Sequence, residues 1–290
     1  MLPLTSKQFV DNFMAYVEDL NEHPENYKGW KTGITDLDVL IGGVLPRKYY
    51  VVGGRQKGGK SALMVTFAIS LNKQGCIVLY ISLEMDNVEM GTRVFSNMGG
   101  IDMTKFRDVT ISKLDVMTLR ETAKVVQEFP GFWDYGTSNI NTIFKQVDMF
   151  KPDVLIVDYF QLLDSEGRRN ESLANLSRRL KKLTNRKDGH RCTVIVPSQV
   201  NRASIRADLM DANAFLDTGA LERDCDVALM VKDVKDEAGD FVSNQRKIAV
   251  VASRISNVGD VSVFFNGARS LMASIVPQQT DVSNLWYNNP

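Results

Sequence analysis

The chain has 290 residues, 44% of them hydrophobic and 24% charged, which is ordinary for a soluble globular protein of one large or two small domains. Its 35 basic residues balance its 35 acidic ones, so no overall field favours a polyanion, although a few loops can still carry local positive charge. Two histidines and three scattered cysteines, Cys76, Cys192 and Cys225, exclude a His-based metal site and a disulfide framework, and point to buried free thiols in a reducing compartment. No signal peptide and no apolar run near 18 residues is present, so the expectation is a cytoplasmic protein with no membrane partner.

Thr5 to Asn21 reads as a helix. Thr5-x-x-Gln8 has capping-box spacing, and Phe9, Phe13, Val17 and Leu20 recur on one face. That stripe either packs on its own domain or docks on a neighbouring subunit. Glu22 to Gly29 follows as a polar linker. Thr32 to Gly43 holds a turn, a short amphipathic helix and a Gly pair.

Tyr49 to Val52 reads as a buried strand and Ser61 to Ser70 as a helix. Between them, from Gly54, stands G-x-x-x-x-G-K-S: Gly54, Arg55, Gln56, Lys57, Gly58, Gly59, Lys60 and Ser61. Strand, Gly-rich loop and helix together are the context of a phosphate-binding P-loop. Backbone N–H groups there turn inward around phosphate oxygens, and the helix N-terminus adds its dipole. Lys60 then reaches the β- and γ-phosphates of ATP, and Ser61 ligates Mg2+.

Cys76 to Leu83 is a second buried strand, ending at Glu84. Asn87 to Asn97 reads as a helix, Thr110 to Glu128 as helical in its second half, Phe132 to Tyr135 as a short strand, and Ile140 to Phe150 as a helix. Asp153 to Val157 is the third strong apolar run, closed by Asp158. An acid at that place is the Walker B pattern, holding Mg2+ through water. Arg168 to Asn170 falls in a polar loop, and Leu173 to Leu183 is a basic amphipathic helix. Thr193 to Val196 is a strand before Ser198-Gln199, and Asn201 to Thr218 reads as a long loop. Asp226 to Val231, Lys247 to Val251 and finally Val261 to Phe265 are strands. A polar tail from Pro277 carries only Leu285-Trp286-Tyr287 as an apolar run.

Strands alternate with helices and then cluster. The fold class is therefore α/β: a mostly parallel sheet covered on both faces, with antiparallel strands at the C-terminal end. Ligands in such sheets sit outside the carboxyl ends of the strands, so Lys60, Ser61, Glu84, Asp158 and Gln199 converge on one crevice. Glu84 suits water activation, with a helix cap as the other reading. Gln199 suits γ-phosphate sensing, with a structural amide as the other.

Several runs, in order, resemble the ATPase domain of DnaB-like replicative helicases. They are Thr32–Gly43, the P-loop, Ser82-Leu83-Glu84-Met85, Val157-Asp158-Tyr159-Phe160-Gln161-Leu162 and Ser198-Gln199-Val200-Asn201-Arg202. Leu221 to Asp226 and Phe264-Phe265-Asn266-Gly267 extend the likeness, which covers about Gly29 to Ser270. It implies a RecA-like core over residues 29–275, a linker-type segment over 1–28 and a tail over 276–290. It makes Glu84 the catalytic glutamate, Asp158 the Walker B acid, Gln199 the γ-phosphate sensor, and Arg254 an arginine finger given in trans. It implies a ring-forming homo-oligomer, expected to be hexameric, moving on single-stranded DNA, with a primase or replication protein in trans.

Three departures stand out. Ala252 occupies the place of a family lysine two residues before the finger. Leu216 occupies that of an arginine in the DNA-facing loop, leaving Arg168, Arg169, Arg202 and Arg206 as candidate phosphate-backbone contacts. The family's amino-terminal collar has no counterpart here, and the helix from Thr5 resembles the linker helix that docks on the adjacent subunit. A recombination-type RecA-like ATPase and a degenerate, non-enzymatic replication regulator are the competing readings.

Overall fold

The structure, a computed structural model, describes residues 3–164, 169–186, 189–190, 192–200 and 219–275. Its elements in chain order are α1 (Ser6–Glu22), α2 (Thr35–Ile41), β1 (Tyr49–Gly54), α3 (Lys60–Lys73), β2 (Val78–Ser82), α4 (Asn87–Gly99), α5 (Thr104–Arg107), α6 (Lys113–Gln127) and β3 (Phe132–Tyr135). Then follow α7 (Ile140–Phe150), β4 (Val154–Asp158), α8 (Arg169–Thr184), β5 (Thr193–Gln199), α9 (Gly219–Asp224), β6 (Val227–Lys235), β7 (Phe241–Ser253), β8 (Gly259–Asn266) and β9 (Leu271–Ser274).

The strands form one nine-stranded sheet in the order β3-β2-β4-β5-β1-β6-β7-β8-β9. The pairs from β3 to β6 are parallel, and those from β6 to β9 are antiparallel. The expected architecture is therefore present. Side chains alternate across the pleat, which splits the core in two. Tyr50, Val52, Tyr80 and Ile156 pack with α2, α3 and α4 on one face. Tyr49, Val51, Ile81 and Leu155 pack with α7 and α8 on the other. Each fully buried side chain of this kind contributes roughly 1.5–3 kcal/mol relative to exposure.

Local signals account for most helix starts. Thr5 and Gln8 form the anticipated capping box on α1, and Ser112 with Asp115 forms another on α6. Asp86 caps α4 through Val88 N and Glu89 N, and Asn139 caps α7. None of the residues of α1 is buried: Phe9 is 64% exposed and Phe13 56%, so the stripe is not packed on its own domain.

Four expectations change. Val261–Phe265 is not the last strand, because four residues of β9 add an edge after a 3-10 turn. The helix α8 starts at Arg169, so Arg169 and Asn170 are not in a loop; Arg168 lies outside the described residues. The strand expected at Lys247–Val251 begins at Phe241, because pairing with β6 imposes extension on the polar run Phe241–Arg246. The helix α6 runs from Lys113 to Gln127, so the first half of Thr110–Glu128 is helical as well as the second, and the one-turn helix α5 stands before it. The segment 201–218 and the tail from 276 also lie outside the described residues.

Candidate active site

Strand β1 delivers the Gly-rich loop to the carboxyl edge of the sheet, where Gly53 and Gly54 align with Ser198 and Gln199 on β5. Gly58 N donates to Arg55 O at 3.1 Å to close the loop. Gly59 then takes φ +102°, and a Cβ there would lie 2.5 Å from Met272 Cε. The φ favours glycine at that position, and a Cβ would in addition have to displace the end of the Met272 side chain. Lys60 opens α3 and is only 8% exposed. Its Nζ donates to Gly54 O and Arg55 O, each at 3.0 Å. Burial pushes its pKa down to about 8, against the opposing pull of Asp158 and Glu84. The ammonium thus sits on two carbonyls in a cradle of loop backbone, and phosphate oxygens are the stronger acceptors for it.

Asp158 ends β4 beside Ser82 of β2 and is 2% exposed. Burial raises its pKa, while Tyr80 Oη, donating at 2.8 Å, and the Ser61 hydroxyl hold the carboxylate in place and oppose that rise. A Mg2+ ion bridging a polyphosphate takes few protein ligands, and Ser61 with Asp158 is a hard-oxygen pair suited to it. Among the described residues no cluster of three or more His, Cys, Asp or Glu could hold a metal by itself.

Leu83 N donates to Asp158 O at 2.8 Å, tying the ends of β2 and β4 together. Ser82 Oγ bonds Met85 O at 2.7 Å and Met85 N at 3.0 Å, and this turn leaves Glu84 exposed at the strand end. Glu84 is not the cap of α4, since Asp86 fills that role. The structural amide next to Gln199 is Gln161, whose Nε2 donates to Ser198 Oγ at 2.8 Å. Its Oε1 accepts from Gln199 N at 3.3 Å. Lys60, Ser61, Glu84, Asp158 and Gln199 are therefore brought to one edge.

Beneath the loop lies a cluster that no sequence signal announces. Arg55 turns its guanidinium away from the cradle onto Asp233, with Nη2 3.0 Å from Oδ1. Arg246 is buried; its Nε lies 3.3 Å from both Asp233 Oδ1 and Gly58 O, and its guanidinium stacks 4.3 Å from the Phe265 ring centroid. The pairs are 178 and 13 residues apart in sequence; the β1–β6 pairing brings Arg55 to Asp233, and the β6–β7 hairpin brings Arg246.

Arg254 is placed elsewhere. Ser253 faces Val227 on β6, and Val227 faces Tyr50 on β1, whereas Gly54 faces Val231. Arg254 therefore lies at the amino edge of the parallel strands, about 13 Å below the level of the P-loop along the strand direction. It is exposed, and among the described residues no carboxylate pairs with its guanidinium. Ala252, which faces Ala228, adds no charge there. Of the four candidate DNA contacts, Arg169 opens α8 but its side chain lies outside the described residues, as do Arg168, Arg202 and Arg206. Leu216 lies outside them too.

Comparison with known proteins matches residues 29–273 to the family described as DnaB-like helicase C terminal domain. The replicative DNA helicase DnaB of Leifsonia xyli subsp. xyli is 28% identical over 296 residues, covering 94% of this chain and 64% of that protein. A probable plasmid replicative DNA helicase of Chlamydia trachomatis is 30% identical over 219 residues, covering 71% of this chain and 47% of that protein. The chain thus spans about half to just under two thirds of the length of these relatives. One solved structure, described as an ATPase domain, superposes with a TM-score of 0.82 at 21% identity, covering 94% of this chain and all of that one. A DnaB-like replicative helicase, described with its interactions with primase, gives 0.79 at 21% identity over 95% of this chain and 68% of that one. Both likenesses are of fold.

Proposed function

The chain belongs to the DnaB-like helicase C-terminal domain family, and on that premise we propose that it is an ATP-hydrolysing DNA helicase motor whose active sites form between copies of the chain. One observation carries this reading. The groups suited to phosphoryl transfer gather at the carboxyl edge, while Arg254 stands at the opposite edge with its charge unpaired among the described residues.

In this reading residues 29–275 are the ATPase unit, 1–28 the linker segment and 276–290 a tail. The loop from Gly54 to Ser61 holds the polyphosphate through backbone N–H groups, and Lys60 leaves its two carbonyls for the β- and γ-oxygens. Ser61 and Asp158 would hold Mg2+, which would supply neutralisation of phosphate charge. Glu84, exposed at its strand end, accepts a proton from the attacking water. Gln199 senses the γ-phosphate, and Gln161 relays its position to β4. Arg254 of one copy reaches the γ-phosphate bound by the next and stabilises its transition-state charge. The exposed stripe of α1 covers itself on that neighbouring copy. Single-stranded DNA is the track. A primase in trans enters the reading through the relative described with one. A replication role, as in the relatives, supports the cytoplasm as its location. Among the described residues no helix is long and apolar enough to cross a membrane.

The test mixes two inactive variants. Lys60→Ala copies keep a working Arg254, and Arg254→Ala copies keep a working P-loop. In randomly mixed assemblies about one interface in four is intact, so DNA-stimulated hydrolysis returns to roughly that fraction. Mixtures as dead as either parent, despite confirmed co-assembly, would remove the shared-site reading.

A further inference from the structure

This inference rests on the reading of Arg254 as a group donated to a neighbouring site, and asks what holds it ready. An exposed arginine at a strand end has many rotamers, and each unproductive one costs occupancy of the reactive pose. Here the end of β7 is held by polar contacts that converge on Asp226. Asp226 O accepts from Arg254 N at 2.9 Å, and Asp226 N donates to Tyr49 O at 2.7 Å. The Asp226 carboxylate accepts from Tyr49 N at 2.8 Å and from Lys181 Nζ. The Lys181 and Asp226 side chains are 23% and 12% exposed, so their ion pair is partly shielded from solvent. One turn before Lys181, Ser177 Oγ donates to Asp224 Oδ2 at 2.7 Å, fastening α8 to the end of α9. The guanidinium of Arg254 completes the bracket by donating through Nη2 to Arg223 O on α9.

We propose that Lys181 and Asp226 are positioning residues for Arg254, a charged pair that fixes α8 and α9 against the start of β1 and so aims the arginine outward. The chemistry of the pair fits this role. Its ammonium and carboxylate neutralise one another, so Arg254 has no competing carboxylate at Asp226 and keeps its charge for a phosphate. Asp226 also grips Tyr49, the first residue of the strand that ends at the chain's own P-loop. The donated arginine is therefore referenced to the strand that carries the chain's own nucleotide loop.

The test measures DNA-stimulated hydrolysis at saturating ATP, KM for ATP and nucleotide binding in the full chain. Asp226→Asn and Lys181→Met are each expected to lower kcat about tenfold while KM and nucleotide binding hold, since the loop lies at the other edge. The double variant should be no worse than either single one, and Lys181→Arg should restore most of the rate. Ser177→Ala, which leaves no buried charge unpaired, should lower kcat two- to threefold and serves if the charge variants unfold. Full kcat in Ser177→Ala and Lys181→Met would overturn the proposal, as would a loss of kcat accompanied by an equal loss of nucleotide binding. Arg254→Ala is run beside them. If it keeps normal turnover, the donated-arginine reading itself fails. If it is inactive while the positioning variants are normal, only the present inference fails.

Discussion

The two edges of the sheet are built in opposite ways. At the carboxyl edge Lys60 and Asp158 are buried and already partnered, Lys60 on two carbonyls and Asp158 on Tyr80, while Glu84 beside them is exposed. At the amino edge Arg254 is exposed and, among the described residues, is held through its backbone and one carbonyl. A group that waits for a ligand inside its own chain must be satisfied meanwhile, because an unpaired buried charge costs several kcal/mol. A group meant for another molecule can wait in water at little cost. In the proposed reading, the buried Lys60 and Asp158 are kept for the chain's own nucleotide and the exposed Arg254 would be lent to a neighbour's.

Removing each kind of group should break this contrast in different ways. Lys60→Ala should reduce turnover at least a thousandfold and weaken nucleotide binding, since it deletes the charge inside the cradle. Arg254→Ala should reduce turnover about as strongly with nucleotide affinity unchanged. Equilibrium binding of a fluorescent nucleotide beside steady-state hydrolysis separates the two cases, and weakened binding in the second would erase the distinction.

A smaller effect tests the scaffold under the loop. Asp233→Ala strands the buried Arg246 guanidinium without its carboxylate, for an expected loss of about 3 kcal/mol in denaturant unfolding. Arg55, more exposed, should contribute little to that loss.

The smallest effect is one of pH. The Lys60 pKa of about 8 lies below its ordinary 10.5, so burial opposes the charged form in the nucleotide-free protein. Polyphosphate favours the charged form and so raises that pKa on binding. Affinity should be level below pH 8 and fall up to tenfold per unit above it, with protons taken up on binding. For folding the sign is the reverse: the cost of charging buried Lys60 is complete below pH 8 and fades as pH rises towards 10.5. Calorimetric titration in buffers of different ionisation enthalpy reads the proton uptake, and its absence at pH 9 would mean that Lys60 does not meet the phosphates.

What was legible in the sequence follows from the range of the interactions. The P-loop, the acid closing β4 and the amide closing β5 each end a run of β-branched residues, so strand position alone located them. The capping box of α1 is spelled out over four residues, whereas that of α6, with Asp115 in place of the usual Glu or Gln, was not legible. Tyr80 and Gln161 were not legible as partners of Asp158 and Gln199, because a tyrosine within a strand and an amide after one have ordinary packing roles. The bracket around Asp233 joins residues far apart in the chain, and β9 is four residues whose extension comes from pairing with β8. The edge on which Arg254 sits depended on the antiparallel turn from β6 to β7, a matter of topology that spacing does not encode.

Strand β7 has a mechanical consequence. Arg246, under the loop at Gly58, and Ser253, next to Arg254 at the far edge, both lie on this strand and face Asp233 and Val227, six residues apart on β6, so about 20 Å separates them along the strand direction. A hydrogen-bonded strand of that length neither stretches nor shortens appreciably. If a polyphosphate shifts the loop over Arg246, the far end must move with it as a tie rod moves. Successive pockets in an assembly would then be linked by displacement, with a delay set only by how fast one subunit turns against the next.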